Sequence, residues 1–142
     1  MLLAILVIAT ESTSLFGAQY TSGPLRWVWQ HLFGAVDNDT WGHIHLWIRK
    51  TGHFVGYGLV GLTWLRAWWL TLPRSGFLLD AALALFGTAV IASSDEFHQS
   101  FLSDRTASPW DVLIDCSGAI FLQLVVYLLA RLFWPRRLHR SA

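Results

Sequence analysis

Charged side chains are scarce in this sequence, and cysteine is scarcer still. Only 13% of the 142 residues are Asp, Glu, Lys or Arg, against about a quarter in ordinary soluble domains. A soluble fold would have to cover its surface with 10 basic and 9 acidic residues, many of them crowded into short stretches. A chain immersed in lipid needs no such cover. With a formal net charge of +1 and no basic stripe beyond a short tail, there is no electrostatic footprint for nucleic acid. A single cysteine, Cys116, excludes an intrachain disulfide and any zinc site built from cysteine pairs. There is no Gly-rich phosphate loop, no nucleophile elbow and no HExxH spacing, so no cofactor and no metal is expected. The sequence also lacks repeats, low-complexity segments and composition breaks, which reads as one domain over residues 1–142.

What is abundant is apolar. Hydrophobic residues make up 54% of the chain and the mean hydropathy is +0.46. Met1 to Ala9 covers only half of the ~20 residues that cross a bilayer as helix. Alone it resembles the apolar part of a signal peptide, yet no basic residue precedes it and no small-x-small cleavage signal follows. Continued through Leu15, Phe16 and Ala18 to Tyr20, it becomes long enough for a first span. From there Thr21 or Ser22 is expected to cap a helix with Pro24 in its first turn. Leu25, Val28, Trp29, Leu32, Phe33 and Val36 recur in it at i, i+3, i+4, i+7, i+8 and i+11. With Trp27 and Trp29 beside Arg26, this amphipathic helix suits either the headgroup boundary or a place across the ends of the spans.

Asp37 to Thr40 forms a turn and offers a cap. A second periodic segment starts at Trp41 and runs through Arg49 and Lys50 into a spanning candidate from Gly52 to Leu70. Its glycines at 52, 56, 58 and 61 suit close helix contact in lipid. After the turn at Leu72 to Gly76, Phe77 to Ser93 gives a third span, interrupted only by Asp80. Trp110 to Trp134 gives the fourth; the 24-residue separation of its tryptophans corresponds to about 36 Å of helix, close to the distance between aromatic belts. The predicted fold class is all-α: a polytopic membrane protein of four transmembrane helices with an interfacial amphipathic helix after the first span. Arg66, Arg74, Arg131, Arg136, Arg137 and Arg140 fall on one side, and Arg26, Arg49, Lys50 and Arg105 on the other. Six against four places both termini in the cytoplasm of a multi-pass protein of the cell (inner) membrane.

Between the last two spans lies Ser93 to Gly118, with five of the nine acidic residues: Asp95, Glu96, Asp104, Asp111 and Asp115. Four of these carboxylates placed singly in hydrocarbon would cost about 2.5–3.5 kcal/mol each, nearly cancelling the roughly 6–12 kcal/mol returned by twenty apolar residues. They must lie at the outer boundary or share a protein-lined, hydrated pocket. Asp111, Asp115 and Gly118 share one helix face at i, i+4 and i+7. Asp95, His98 and Gln99 fall at i, i+3 and i+4 at the end of the third span, and Lys50, His53 and Tyr57 at i, i+3 and i+7 at the start of the second. Short connections bring these three ends to one membrane face, with Arg105 in the loop above. The bland alternatives are a first-turn acid at Asp111, histidines bonded to backbone, a solvated Asp104, and tail arginines serving orientation and anionic lipid.

These residues carry a resemblance. Lys50-x-x-His53-Phe54-x-x-Tyr57, Asp95-Glu96-Phe97-His98-Gln99-x-Phe101, and then Arg105, Ser108, Asp111, Asp115 and Gly118 in order are similar to VanZ-like membrane proteins. The second block is the specific one, and the match covers about half the chain. The resemblance implies a small multi-span helical protein of a family named after an accessory protein of teicoplanin resistance. Three departures stand out: a short first span, Ser103-Asp104 where a Pro-Gly-like turn is common, and Asp115 where Asn is frequent.

Two functions follow from the residues. The first is an outward-facing pocket that binds, or modifies, an anionic cell-envelope molecule, a lipid headgroup or lipid-linked precursor. Lys50, Arg105 and protonated histidine would hold phosphate, with Tyr57 and Gln99 lining the site. His53, His98, Asp95, Glu96, Asp111 and Asp115 are then the acid and base candidates. The second is a non-catalytic protein whose polar cluster ties helix ends together or docks a partner. A proton or ion path ranks below both, because outside the cluster the only acids in the spans are Glu11 and Asp80.

Overall fold

The computed structural model describes residues 18–72, 75–101 and 108–133. They form helices α1 (Ala18–Phe33), α2 (Asn38–Thr71), α3 (Phe77–Gln99) and α4 (Pro109–Phe133), with no strand among the described residues. The chain is all-α. Local chemistry sets the breaks between helices. Gly34 ends α1 with a φ of 93°, a left-handed conformation that costs glycine little. Asp37 caps α2 by accepting a hydrogen bond from the Thr40 amide at 2.9 Å, and that bond holds its carboxyl below the usual range. Ser108 and Pro109 start α4, with the Trp110 amide donating to the Ser108 hydroxyl at 3.2 Å.

α2, α3 and α4 pack as a three-helix bundle, and the α2–α4 seam is the most extensive. Lys50 meets Asp111 and His53 meets Asp115, so α2 and α4 run parallel; Tyr57 meets Asp95 while Trp64 meets Gly87, so α3 runs against α2. The seam is close because it is lined by small residues: a Cβ on Gly58 would meet Leu122, and one on Gly61 would meet Ala119.

The bundle is polar and small inside and apolar outside. Its buried residues include Asp80, Thr88, Asp95, Glu96, Gln99, Asp115 and Gln123, alongside Ala84, Ala92 and Ala119. Leu78, Phe86, Val90, Ile120, Phe121 and Leu128 are exposed. That distribution inverts the soluble pattern, in which buried polar groups are the exception.

Three expectations need revision, and one is not reached by the described residues. The first span falls almost wholly on residues 1–17, outside those described. Thr21 and Ser22 do not cap a helix with Pro24 in its first turn: Pro24 lies inside α1, and both hydroxyls serve α2 instead. Thr21 Oγ1 pairs with His45 Nε2 at 3.1 Å, and Trp41 Nε1 donates to Ser22 Oγ at 2.7 Å. The third span does not stop at Ser93; α3 continues to Gln99. Finally, the described residues hold two helices long and apolar enough to cross a membrane, α3 and α4, rather than the expected set of four spans. The Gly52–Leu70 part of α2 is helical, but its glycines and tryptophans leave it less hydrophobic than either.

The apolar stripe of α1 is only partly covered: Leu25 and Trp29 are half-buried, and Trp29 lies against Trp41 of α2 with ring centroids 6.5 Å apart. Its polar side faces α2, where Arg26 donates to Asn38 Oδ1 at 2.8 Å and to the Val36 carbonyl at 2.7 Å. Val28, Leu32 and Phe33 are exposed.

Candidate functional site

The start of α2, the end of α3 and the start of α4 meet at one end of the bundle, and each brings polar side chains at helical spacing. Lys50, His53 and Tyr57 lie along one strip of α2. Lys50 Nζ donates to Asp111 Oδ1 at 2.7 Å. One turn deeper, His53 Nδ1 lies 3.3 Å from Asp115 Oδ1, though not aligned for a hydrogen bond. Deeper again, Tyr57 donates through its hydroxyl to Asp95 Oδ2 at 2.9 Å, and Gln99 Nε2 donates to the same oxygen at 3.0 Å. The rings of His53 and Tyr57 stack with centroids 6.1 Å apart. Glu96 accepts from the Ser108 amide at 2.7 Å, which ties the end of α3 to the start of α4.

Burial grades the site from mouth to floor. The side chains of Lys50, Asp111 and His53 are 30%, 25% and 25% exposed, while that of Asp115 is 1% exposed. Tyr57, Asp95, Glu96 and Gln99 are buried. Neither Asp115 oxygen has a hydrogen-bond partner among the described residues. A carboxylate in that setting is costly, and its ionised form has the His53 imidazole as its nearest source of compensating charge.

Gly118 makes the depth possible. A Cβ there would collide with the Phe54 carbonyl, so its absence lets α4 bring Asp115 against α2.

Of the sequence-stretch candidates, the structure brings together Lys50, His53, Tyr57, Asp95, Glu96, Gln99, Asp111 and Asp115. His98 is not with them. Residues 95 and 99 lie about 40° apart around the helix and residue 98 about 60° to the other side of 95; Asp95 and Gln99 are buried and His98 is exposed. Arg105 and Asp104 lie outside the described residues. Ser94 and Ser100 donate to the Val90 and Phe97 carbonyls of their own helix. Among the described residues no three His, Cys, Asp or Glu side chains are disposed to hold a metal ion.

Sequence reasoning passed over Ser108 as the partner of Glu96, and also Thr88 and Gln123. The signal for the last two was present as inward residues at four-residue intervals: Asp80, Ala84, Thr88 and Ala92 on α3, and Asp115, Ala119 and Gln123 on α4.

A small, polar interior, an apolar exterior and, among the described residues, two helices of membrane-crossing length are consistent with a helical membrane protein. The chain belongs to the VanZ/LLP1 family, whose model matches residues 1–132. No curated protein and no solved structure matches it.

Proposed function

We propose that this protein spans the cell membrane several times and binds the anionic headgroup of an envelope lipid or lipid-linked precursor at the mouth formed by Lys50 and His53. The observation that carries the reading is the gradation of the site. Its two cation-forming side chains stand at the half-open mouth, while three of its four carboxylates lie buried behind them. A phosphate entering from outside meets an ammonium group and an imidazole, and must share Lys50 with the Asp111 carboxylate at the same mouth, in a partly desolvated setting where charge-assisted hydrogen bonds are strong. Asp115, with no hydrogen bond of its own, is placed to favour the imidazolium form of His53 as the anion arrives.

The surroundings suit a lipid better than a soluble anion. An open groove between α1 and α2, lined by Trp29, Ile44, Trp47 and Ile48, comes within a turn of Lys50 and fits a hydrocarbon chain. The exposed part of the apolar stripe of α1, Val28, Leu32 and Phe33, suits insertion at the headgroup boundary. In this reading α1 is the interfacial helix, Gly52–Leu70 spans with α3 and α4, and the site faces outward.

The test is lipid binding by the full-length protein in nanodiscs, comparing phosphatidylglycerol with phosphatidylcholine by native mass spectrometry. Preferential retention of phosphatidylglycerol is expected, and Lys50→Ala and His53→Ala should each reduce it at least fivefold. Equal retention of the two lipids by the wild-type protein sinks the proposal. If instead both variants bind normally and lose only thermal stability, the cluster is a helix tie. Teicoplanin susceptibility of a host expressing the same variants extends the test to the phenotype behind the family's name.

A further inference from the structure

The polar interior continues beyond the headgroup site. α3 buries Asp80, Ala84, Thr88, Ala92, Asp95 and Gln99, one stripe that repeats every three or four residues. α4 buries Asp115, Ala119 and Gln123. The 15 residues from Asp80 to Asp95 rise about 22 Å, most of a hydrocarbon core of about 30 Å. Phe77 packs on Tyr127 with ring centroids 5.0 Å apart, so the Asp80 end of α3 lies beside the second half of α4. Gln123 therefore stands between the two ends of the bundle.

This interior is short of partners. Asp80 and Thr88 are 0% exposed, and of the two only Thr88, which donates to the Ala84 carbonyl at 2.9 Å, has its side chain fully paired. One Asp80 oxygen accepts from the Ser75 hydroxyl, and the other has no hydrogen-bond partner among the described residues. The same holds for both Asp115 oxygens, the Gln123 amide nitrogen and the indole nitrogens of Trp64 and Trp68. These groups are spread along the seams: Gln123 Nε2 lies 3.5 Å from where a Gly61 Cβ would be, and Trp64 Nε1 lies 3.3 Å from where a Gly87 Cβ would be. Leaving so many buried groups unpaired is costly, and water is the ordinary remedy where several polar atoms line one interior. Indole and amide N–H groups can orient such water without accepting its proton. Carboxylates at the two ends can accept and release one, and chains of buried acids mark proton relays in membranes.

We propose that the core of the α2–α3–α4 bundle is a hydrated track along which protons pass between Asp80 and the Asp115–His53 pair, so that the protein conducts protons across the membrane. A proton taken up on the free Asp80 oxygen moves through water past Gln123 and Thr88 to Asp115. His53 then carries it to the mouth. The charged and titratable groups around Asp115 are His53 and Tyr57 from α2, Asp95 from α3, and Asp111 and Cys116 from α4; at the other end Asp80 meets Ser75. No other covalent bond changes.

The test uses the full-length protein in vesicles loaded with a pH-sensitive dye, with a potassium gradient and valinomycin supplying the potential. Wild-type vesicles should acidify at least fivefold faster than protein-free ones. Asp80→Asn and Gln123→Leu should each return the rate toward the protein-free value, while Ser94→Ala, on the outer face of α3, should keep it. A wild-type rate equal to that of empty vesicles overturns the proposal, as does full flux in Gln123→Leu. Anionic-lipid retention measured on the same preparations separates this outcome from failure of the headgroup site, because neither Asp80 nor Gln123 belongs to it.

Discussion

The backbone carbonyl of Phe54 occupies the space that a Cβ on Gly118 would need. Helix α4 can approach α2 closely only because residue 118 has no side chain, and this approach sets Asp115 against His53 one turn earlier. Gly118→Ala should force the two helices apart, and overpacking of this kind costs about 1–3 kcal/mol. A lower melting temperature in detergent is expected, with loss of anionic-lipid retention. Gly52 is the matched control. A Cβ there meets nothing within 4 Å, so Gly52→Ala should hold or raise the melting temperature through helix propensity worth up to about 1 kcal/mol. Equal damage from both substitutions would mean that the Gly118–Phe54 approach does not set stability, since Ala is the better helix former at either position.

Tyr57 tests the link between α2 and α3. Its hydroxyl donates to Asp95, which also accepts from Gln99. Tyr57→Phe keeps the ring and its stacking on His53 but removes a donor to that oxygen. The expected loss is about 1–3 kcal/mol, read as a lower thermal midpoint. An unchanged midpoint would show that water replaces the hydroxyl at no net cost.

Much of this site could be read from spacing alone. Lys50, His53 and Tyr57 recur with the period of a helix, as do Asp111, Asp115 and Gly118, and both strips meet where the spacing puts them. His98 shows the limit of that reading. An i+3 and an i+4 neighbour lie on opposite sides of the reference residue, and only packing decided that Gln99 turned in while His98 turned out. Pro24 failed differently: α1 already runs from Ala18, and Thr21 and Ser22, read as caps, give their hydroxyls to partners on α2. Asp80 was visible as a lone acid in an apolar run, but its complete burial depends on α2 and α4, which no local pattern reports. The glycines split in the same way, since those at 58 and 61 face neighbours and those at 52 and 56 face open space.

His45 supplies a pH dependence. Burial pushes its imidazole below the ordinary value, and the nearby Arg49 charge adds to the shift. The folded protein therefore binds fewer protons at this residue than the unfolded chain just below pH about 6.5. Stability from this group is fully present above that pH and is lost as the pH falls through the window down to the lowered folded value. Because His45 pairs with Thr21, α1 should loosen first. Hydrogen exchange of α1 amides should quicken between pH 7.5 and 5.5, after correction for intrinsic rates, and His45→Gln should flatten that change.

Asp115 separates stability from function most sharply. Its carboxylate is buried without a hydrogen bond and lies 3.3 Å from a histidine that is itself partly open to solvent. Asp115→Asn keeps the shape and removes the charge, and His53 can remain neutral without it. Relief of a poorly compensated buried charge should raise stability by about 1–3 kcal/mol. The same change removes the group that favours the imidazolium form of His53, so anionic-lipid retention should fall. A higher melting temperature together with weaker retention is the signature of a site kept at a stability cost. A lower melting temperature with normal retention would make Asp115 a structural tie and leave anion binding to Lys50.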